Sequence, residues 1–141
     1  MDLHEHLSLS ACGAGAVYLA TADAAAAAAF WAAGTLIDVD HLVDYWREDG
    51  FNLNLPRFFA YFPGRGPRHL LLALHGWEWP LSLGAVCAGL HAPAWAWAFA
   101  AGWLSHLALD QRFNPHQAVP CYFFAYRLSL GFAATGFYEA P

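Results

Sequence analysis

The residues from Ala24 to Asp49 constrain this chain more than any other stretch. A run of alanines, closed by Phe30-Trp31-Ala32-Ala33-Gly34, carries no charge and leads into Asp38, Asp40, His41 and Asp44. Carboxylates and imidazole set this close to apolar sequence are costly to bury unless something positive compensates them. A bound metal ion is the simplest compensation. The fold must then bring other ligand-type residues to the end of this segment.

Composition fixes the setting. Of 141 residues, 59% are hydrophobic and only 12% charged, against about 25% charged in ordinary soluble domains. There is no lysine, and six arginines carry the whole fixed positive charge. Seven tryptophans and eleven phenylalanines exceed what a small soluble core needs. These features predict one domain over residues 1–141, an all-α integral membrane bundle of four to five helices. A very apolar soluble helical domain is the competing reading. The net charge of −5 and the lack of a basic stripe argue against a nucleic-acid partner. Cys12, Cys87 and Cys121 are scattered in apolar sequence without a CxxC pair, which predicts buried thiols and no disulfide framework. The acidic, His-rich start Met1-Asp2-Leu3-His4-Glu5-His6 is unlike a signal peptide's basic region.

The pattern predicts helix 1 over about Leu3 to Ala20, with small residues Ala11, Gly13, Ala14, Gly15 and Ala16 suited to close helix contact. Asp23 is an N-cap for a second helix from Ala24 to near Arg47, about 36 Å long and able to span a bilayer; one helix running through Asp23 is the alternative. The stretch from Asp49 to Pro67 reads as a loop with a short interfacial segment at Phe58–Phe62. Helix 3 is expected over about Arg68 to Leu90, a turn at His91-Ala92-Pro93, and helix 4 over about Ala94 to Gln111. A fifth apolar segment runs from about Val119 to Phe137. Arg47, Arg57, Arg65 and Arg68 flank one loop and Arg112 follows helix 4, so the positive-inside rule places both on the cytoplasmic side of the membrane. The start of helix 1, the end of helix 2, the start of helix 3 and the end of helix 4 then share one membrane face.

Those four places hold the candidate ligands. Helix 1 brings His4 and His6. Helix 2 brings Asp38 and His41 at i, i+3, with Asp40 and Asp44 as a neighbouring pair. Helix 3 brings His75 and Glu78, helix 4 brings His106 and Asp110 at i, i+4, and His116 follows a break at Asn114-Pro115. Imidazole nitrogens and carboxylate oxygens are what zinc, manganese and iron accept, and a site inside a bundle draws on several helices. The expected ligands are His6, Asp38, Asp40, His41, His75, Glu78, His106, Asp110 and His116, around one to three divalent ions, Zn first and Mn or Fe as options. His4 and His69 read as interfacial and His91 as a turn residue on the far side.

Gly34-Thr-Leu-Ile-Asp38-Val-Asp40-His41, the His75 segment and Gly102-Trp-Leu-Ser-His106-Leu-Ala-Leu-Asp110 together resemble the bacterial membrane-bound metal-dependent hydrolases. The resemblance covers most of the chain to about Asp110 and implies an Asp-x-Asp-His block, a central histidine and a His-x3-Asp block on hydrophobic helices. Two departures stand out: Ile37 replaces the family's usual proline, and the central motif reads His75-Gly-Trp-Glu78. The spacing His106-x3-Asp110-x5-His116 is also distantly similar to zinc-dependent phospholipase C and P1-type nucleases, all-helical phosphoesterases.

The expected chemistry is hydrolysis of a phosphoester or other ester on a lipid-like substrate at the membrane. Glu78 or Asp44 is the expected general base, and Arg127 a phosphate ligand or a buried ion-pair partner. Trp46, Phe58, Phe59, Tyr61, Trp77 and Trp79 would contact lipid or form an interfacial belt. Two other readings stand beside this one. A di-iron or di-manganese carboxylate oxidoreductase uses similar ligands on antiparallel helices. A non-enzymatic small subunit, packed in a homo-oligomer or larger membrane complex, would use the same polar groups as interhelical glue.

Overall fold

The computed structural model describes residues 3–64, 67–114 and 119–134, and these are helical and irregular, without a β-strand among them. The helices are α1 (Leu3–Thr21), α2 (Ala24–Leu36), α3 (Asp40–Asp49), α4 (Leu55–Gly64), α5 (Glu78–Leu90), α6 (Ala94–Phe113) and the short α7 (Phe124–Ser129). The chain is therefore all-α.

Asp23 does what its residue type favours. Its backbone is extended and its carboxylate accepts the N–H groups of Ala25 and Ala26, so α1 and α2 are separate helices. Beyond Leu36 a 3-10 turn, Ile37–Val39, joins α2 to α3, giving one helical run over Ala24–Asp49. With 26 residues, this run alone among the described helices is long and apolar enough to cross a membrane by length and composition.

α2 packs along α6, α1 covers α2, and α5 lies on α6. Gly102 lies against the Phe30 carbonyl and His106 against the Gly34 carbonyl, so α2 and α6 run parallel. Ser10 meets Gly34 and Gly13 meets Phe30, so α1 runs antiparallel to α2. The close α2–α6 approach depends on Gly102, because a Cβ there would collide with the Phe30 backbone. Parallel α2 and α6, with α1 reversed, bring His6, Asp38, His106 and Asp110 to one end of the bundle.

Two expected helices are corrected. Residues 68–77 are not helical, so the third helix begins only at Glu78 and is about 20 Å long. The reason lies in the partners of this segment's backbone. Asp44 accepts the Leu71 and Leu72 N–H groups, and Asp40 accepts that of Leu74. Arg127 donates to the Leu72 and His75 carbonyls, Trp79 to that of Ala73, and Trp103 to that of Leu74. Side chains from four other places thus replace the helical ladder, and a buried irregular segment is paid for by remote groups. The expected fifth apolar segment is, over its described part, a 3-10 turn (Val119–Tyr122) and the six-residue α7. Part of the stretch expected to be a loop is helical: α4 covers the aromatic segment at Phe58–Phe62, with Pro56 in its first turn. His91 is a turn residue, closing α5 in the left-handed region.

Candidate metal centre

Two imidazoles and two carboxylates meet where α2, α6 and the 68–77 segment converge. His75 Nε2 lies 3.4 Å from Asp38 Oδ1 and 3.3 Å from Asp110 Oδ2. His106 Nε2 lies 3.4 Å from Asp38 Oδ1, 3.5 Å from Asp110 Oδ2 and 3.3 Å from His75 Nε2. A regular tetrahedron with edges of about 3.4 Å has its centre about 2.1 Å from each corner, which is the Zn–N and Zn–O bond length. Five of the six separations among these donors match that spacing, which suits a divalent ion.

The surrounding contacts aim the lone pairs at that centre. His106 Nδ1 is 3.0 Å from the Gly34 carbonyl and His75 Nδ1 is 3.0 Å from Asp40 Oδ2. An N–H at each Nδ1 donates outward, which leaves each Nε2 as the coordinating atom. The Gly34 carbonyl is itself fixed by the Ser10 hydroxyl, which donates to it at 2.8 Å. Asp40 therefore acts on the centre through His75 in the central group. His6 stacks on the His106 ring, and its Nε2 is 2.9 Å from Asp110 Oδ1, leaving Oδ2 to face inward. His6, Asp38, His106 and Asp110 also form a group whose ligand atoms lie within 4.8 Å of one another, as do Asp38, His41 and His75.

Electrostatics supports the same reading. Burial by itself would push the His75 imidazole down, but Asp40, Asp110 and Asp38 together hold its pKa well above the ordinary value. An ion-free centre is thus a proton trap, and a cation entering it must displace protons. His6 Nδ1, Asp40 Oδ1 and His41 Nδ1 are buried without a hydrogen-bond partner among the described residues. Three such atoms clustered at one site fit a donor set built for a cation.

The structure brings together His6, Asp38, Asp40, His41, His75, His106 and Asp110. His116 lies outside the described residues, as does Arg65. Glu78 is engaged elsewhere: its carboxylate accepts the Phe124 and Ala125 N–H groups and caps α7 from a distance. The i, i+3 geometry expected of His75 and Glu78 fails because His75 precedes the helix. The two Asp44 oxygens hold the Leu71 and Leu72 N–H groups, and one lies 3.4 Å from Arg47.

Arg127 is placed among backbone carbonyls. Only 1% exposed, it donates to the carbonyls of His75 (2.7 Å), Cys121 (2.6 Å) and Leu72 (2.7 Å), and so shapes the segment that presents His75. His4 and His69 are exposed, and His69 Nδ1 lies 3.6 Å from Glu48. Trp46 and Trp77 donate to Asn52 and Gln111, while Phe58 and Tyr61 pack on Tyr45. Phe59 and Trp79 are partly open to the outside. Cys87 and Cys121 are buried cysteines outside any disulfide, as expected, but Cys12 is exposed.

Ser10, Gly34 and Trp103 are the supporting residues that sequence reasoning did not single out. Ser10 and Gly34 act through one backbone carbonyl, which carries no signal of its own in a sequence. No family model, curated protein or solved structure matches this chain.

Proposed function

We propose that this chain is a membrane-embedded, metal-dependent hydrolase acting on a phosphoester or other ester of a lipid-like substrate. The observation that carries the reading is the set of five separations, all 3.3–3.5 Å, among His75 Nε2, His106 Nε2, Asp38 Oδ1 and Asp110 Oδ2. A divalent ion held by those four residues supplies Lewis acidity, which acidifies water and polarises an ester or phosphoryl oxygen. The chain's own residues do the rest. Asp40 and the Gly34 carbonyl hold the two imidazoles in the coordinating tautomer, and His6 orients Asp110. Asp38 and His41, with side chains 24% and 28% exposed, form the side from which a substrate approaches. Leu36, Val39 and Val43 flank that side and are exposed, which suits an apolar tail.

Membrane embedding is supported by the Ala24–Asp49 run and by large apolar side chains on the outer helix faces. Leu19, Trp31, Leu81, Val86, Leu90, Trp95 and Trp97 are all exposed there, where water would penalise them. Arg47, Arg57 and Arg68 are exposed and follow the site-bearing turn in the chain, which favours a cytoplasmic site in an inner membrane. Against the oxidoreductase reading, the converging donors are aspartate and histidine, and Glu78 is occupied by backbone. The packing-subunit reading leaves the buried His6 Nδ1 without a hydrogen-bond partner among the described residues.

The test is metal analysis of detergent-purified protein, with cobalt substitution and assay of a panel of phospholipid and other lipid esters. The expected result is bound zinc or a similar ion, a tetrahedral cobalt spectrum, and loss of both ion and turnover in His106→Ala with helical content retained. Iron with an oxygen-dependent spectrum would overturn the hydrolase reading, and an unchanged ion content in His106→Ala would overturn the site.

A further inference from the structure

Beside the central group, a buried carboxylate oxygen and an imidazole nitrogen face each other. Asp40 Oδ1 and His41 Nδ1 form an ion-pair contact of 3.2 Å that lacks hydrogen-bond geometry, and neither has a hydrogen-bond partner elsewhere among the described residues. The Asp40 side chain is only 4% exposed. Its other oxygen is fully used by His75 Nδ1 and the Leu74 N–H. A buried carboxylate oxygen whose one contact is poorly directed is under-satisfied. His41 Nδ1 also lies 3.8 Å from Asp38 Oδ1, and Asp38 belongs to both groups of mutually close ligand atoms. Phe62 packs edge-on against the His41 ring and His75 lies on another side of it, so the ring has a defined position.

The geometry points to a second divalent cation seat formed by Asp38, Asp40 Oδ1 and His41 Nδ1, sharing Asp38 with the central group. The inference rests on the central group being a metal centre. A 3.2 Å separation between an imidazole nitrogen and a carboxylate oxygen suits two neighbouring ligands of one ion, about 2.0–2.2 Å from each. Asp38 then bridges, one carboxylate serving two cations. The seat lies on the open side of the centre, since Asp38 and His41 are its exposed members.

Charge narrows the substrate class. Asp38, Asp40 and Asp110 carry three negative charges into a largely buried space. One divalent ion leaves that space net negative, which repels an anion. Two leave it net positive, which attracts one. A paired centre therefore selects a phosphoester over a neutral carboxylic ester, in keeping with the use of paired cations on in-line phosphoryl displacement.

The experiment reads ion binding directly, without turnover. Metal-stripped protein in detergent is titrated with Mn(II), followed by elemental analysis and electron paramagnetic resonance, alongside His41→Ala, His41→Gln and His106→Ala. The expected result is two equivalents per chain with a spin-coupled signal. Both His41 variants should fall to one equivalent with an uncoupled signal, at unchanged helical content. One equivalent in the unmodified chain, or two in both His41 variants, would overturn the second seat and leave the central one standing. No ion bound at all would overturn the central reading itself.

Discussion

Arg127 offers the sharpest test of how the centre is built. Replacing it by Met keeps much of its length and removes the guanidinium from three carbonyls, those of Leu72, His75 and Cys121. Each bond is 2.6–2.7 Å long and made by a charged donor. A hydrogen bond to a charged group contributes about 1.5–3 kcal/mol, and an acceptor left buried and unpaired costs about 1–3 kcal/mol. Burial pulls the Arg127 pKa down while Asp40 and Glu78 act to restore it, so relief from desolvation offsets part of the loss. A net destabilisation of about 3–5 kcal/mol remains, a large share of the roughly 5–15 kcal/mol that keeps a domain folded.

The readout is thermal unfolding of the purified chain, followed by circular dichroism, with and without Zn(II). Arg127→Met should lower the midpoint by about 10 °C or more and weaken ion binding, because His75 loses its backbone anchor. Arg127→Lys should recover only part of this, since an ammonium cannot reach three carbonyls with a planar fork. If Arg127→Met melts and binds zinc like the unmodified chain but no longer binds phosphate, the anchoring argument is refuted and the guanidinium is a substrate group.

Gly102→Val should push α6 away from the Phe30 backbone, costing about 1–3 kcal/mol by overpacking; cobalt spectra would report the distorted tetrahedron, and an unchanged spectrum would refute the close-approach argument. The pH dependence of the ion-free chain follows from His75. Its folded pKa lies above the ordinary value of 6.5, so its contribution to stability is complete below that pH and is lost as the pH rises through the raised pKa. Melting in chelator should therefore show this contribution fading towards alkaline pH, whereas zinc-loaded protein, whose imidazoles are already deprotonated, should not show it. Zinc binding near neutral pH should release protons, measurable in buffers of differing ionisation enthalpy, and a buffer-independent binding heat would refute the proton-trap reading.

Local rules made much of the helical frame legible in advance. The Asp23 cap, the turn at His91 and the limits of α1 and α6 depend on hydrogen bonds within a few residues, so residue type and spacing suffice to place them. The pairs Asp38/His41 and His106/Asp110 were equally readable, because i, i+3 and i, i+4 spacing fixes proximity on a helix. The 68–77 segment was not. Arg68 to Leu90 looks like one apolar helix, yet its first ten residues exchange helical hydrogen bonds for Asp40, Asp44, Arg127, Trp79 and Trp103.

That exchange divides the roles of the charged residues. The sequence by itself determined that the chain is helical and which imidazoles and carboxylates are present at one end of the helices. Only the tertiary structure decided that Asp38, His75, His106 and Asp110 face one another while Asp44, Glu78 and Arg127 hold backbone. A side chain's partner is set locally when the partner lies within a helical turn. Irregular buried backbone must draw its partners from distant parts of the chain, and residue type alone does not say whether a carboxylate will meet an ion or an amide.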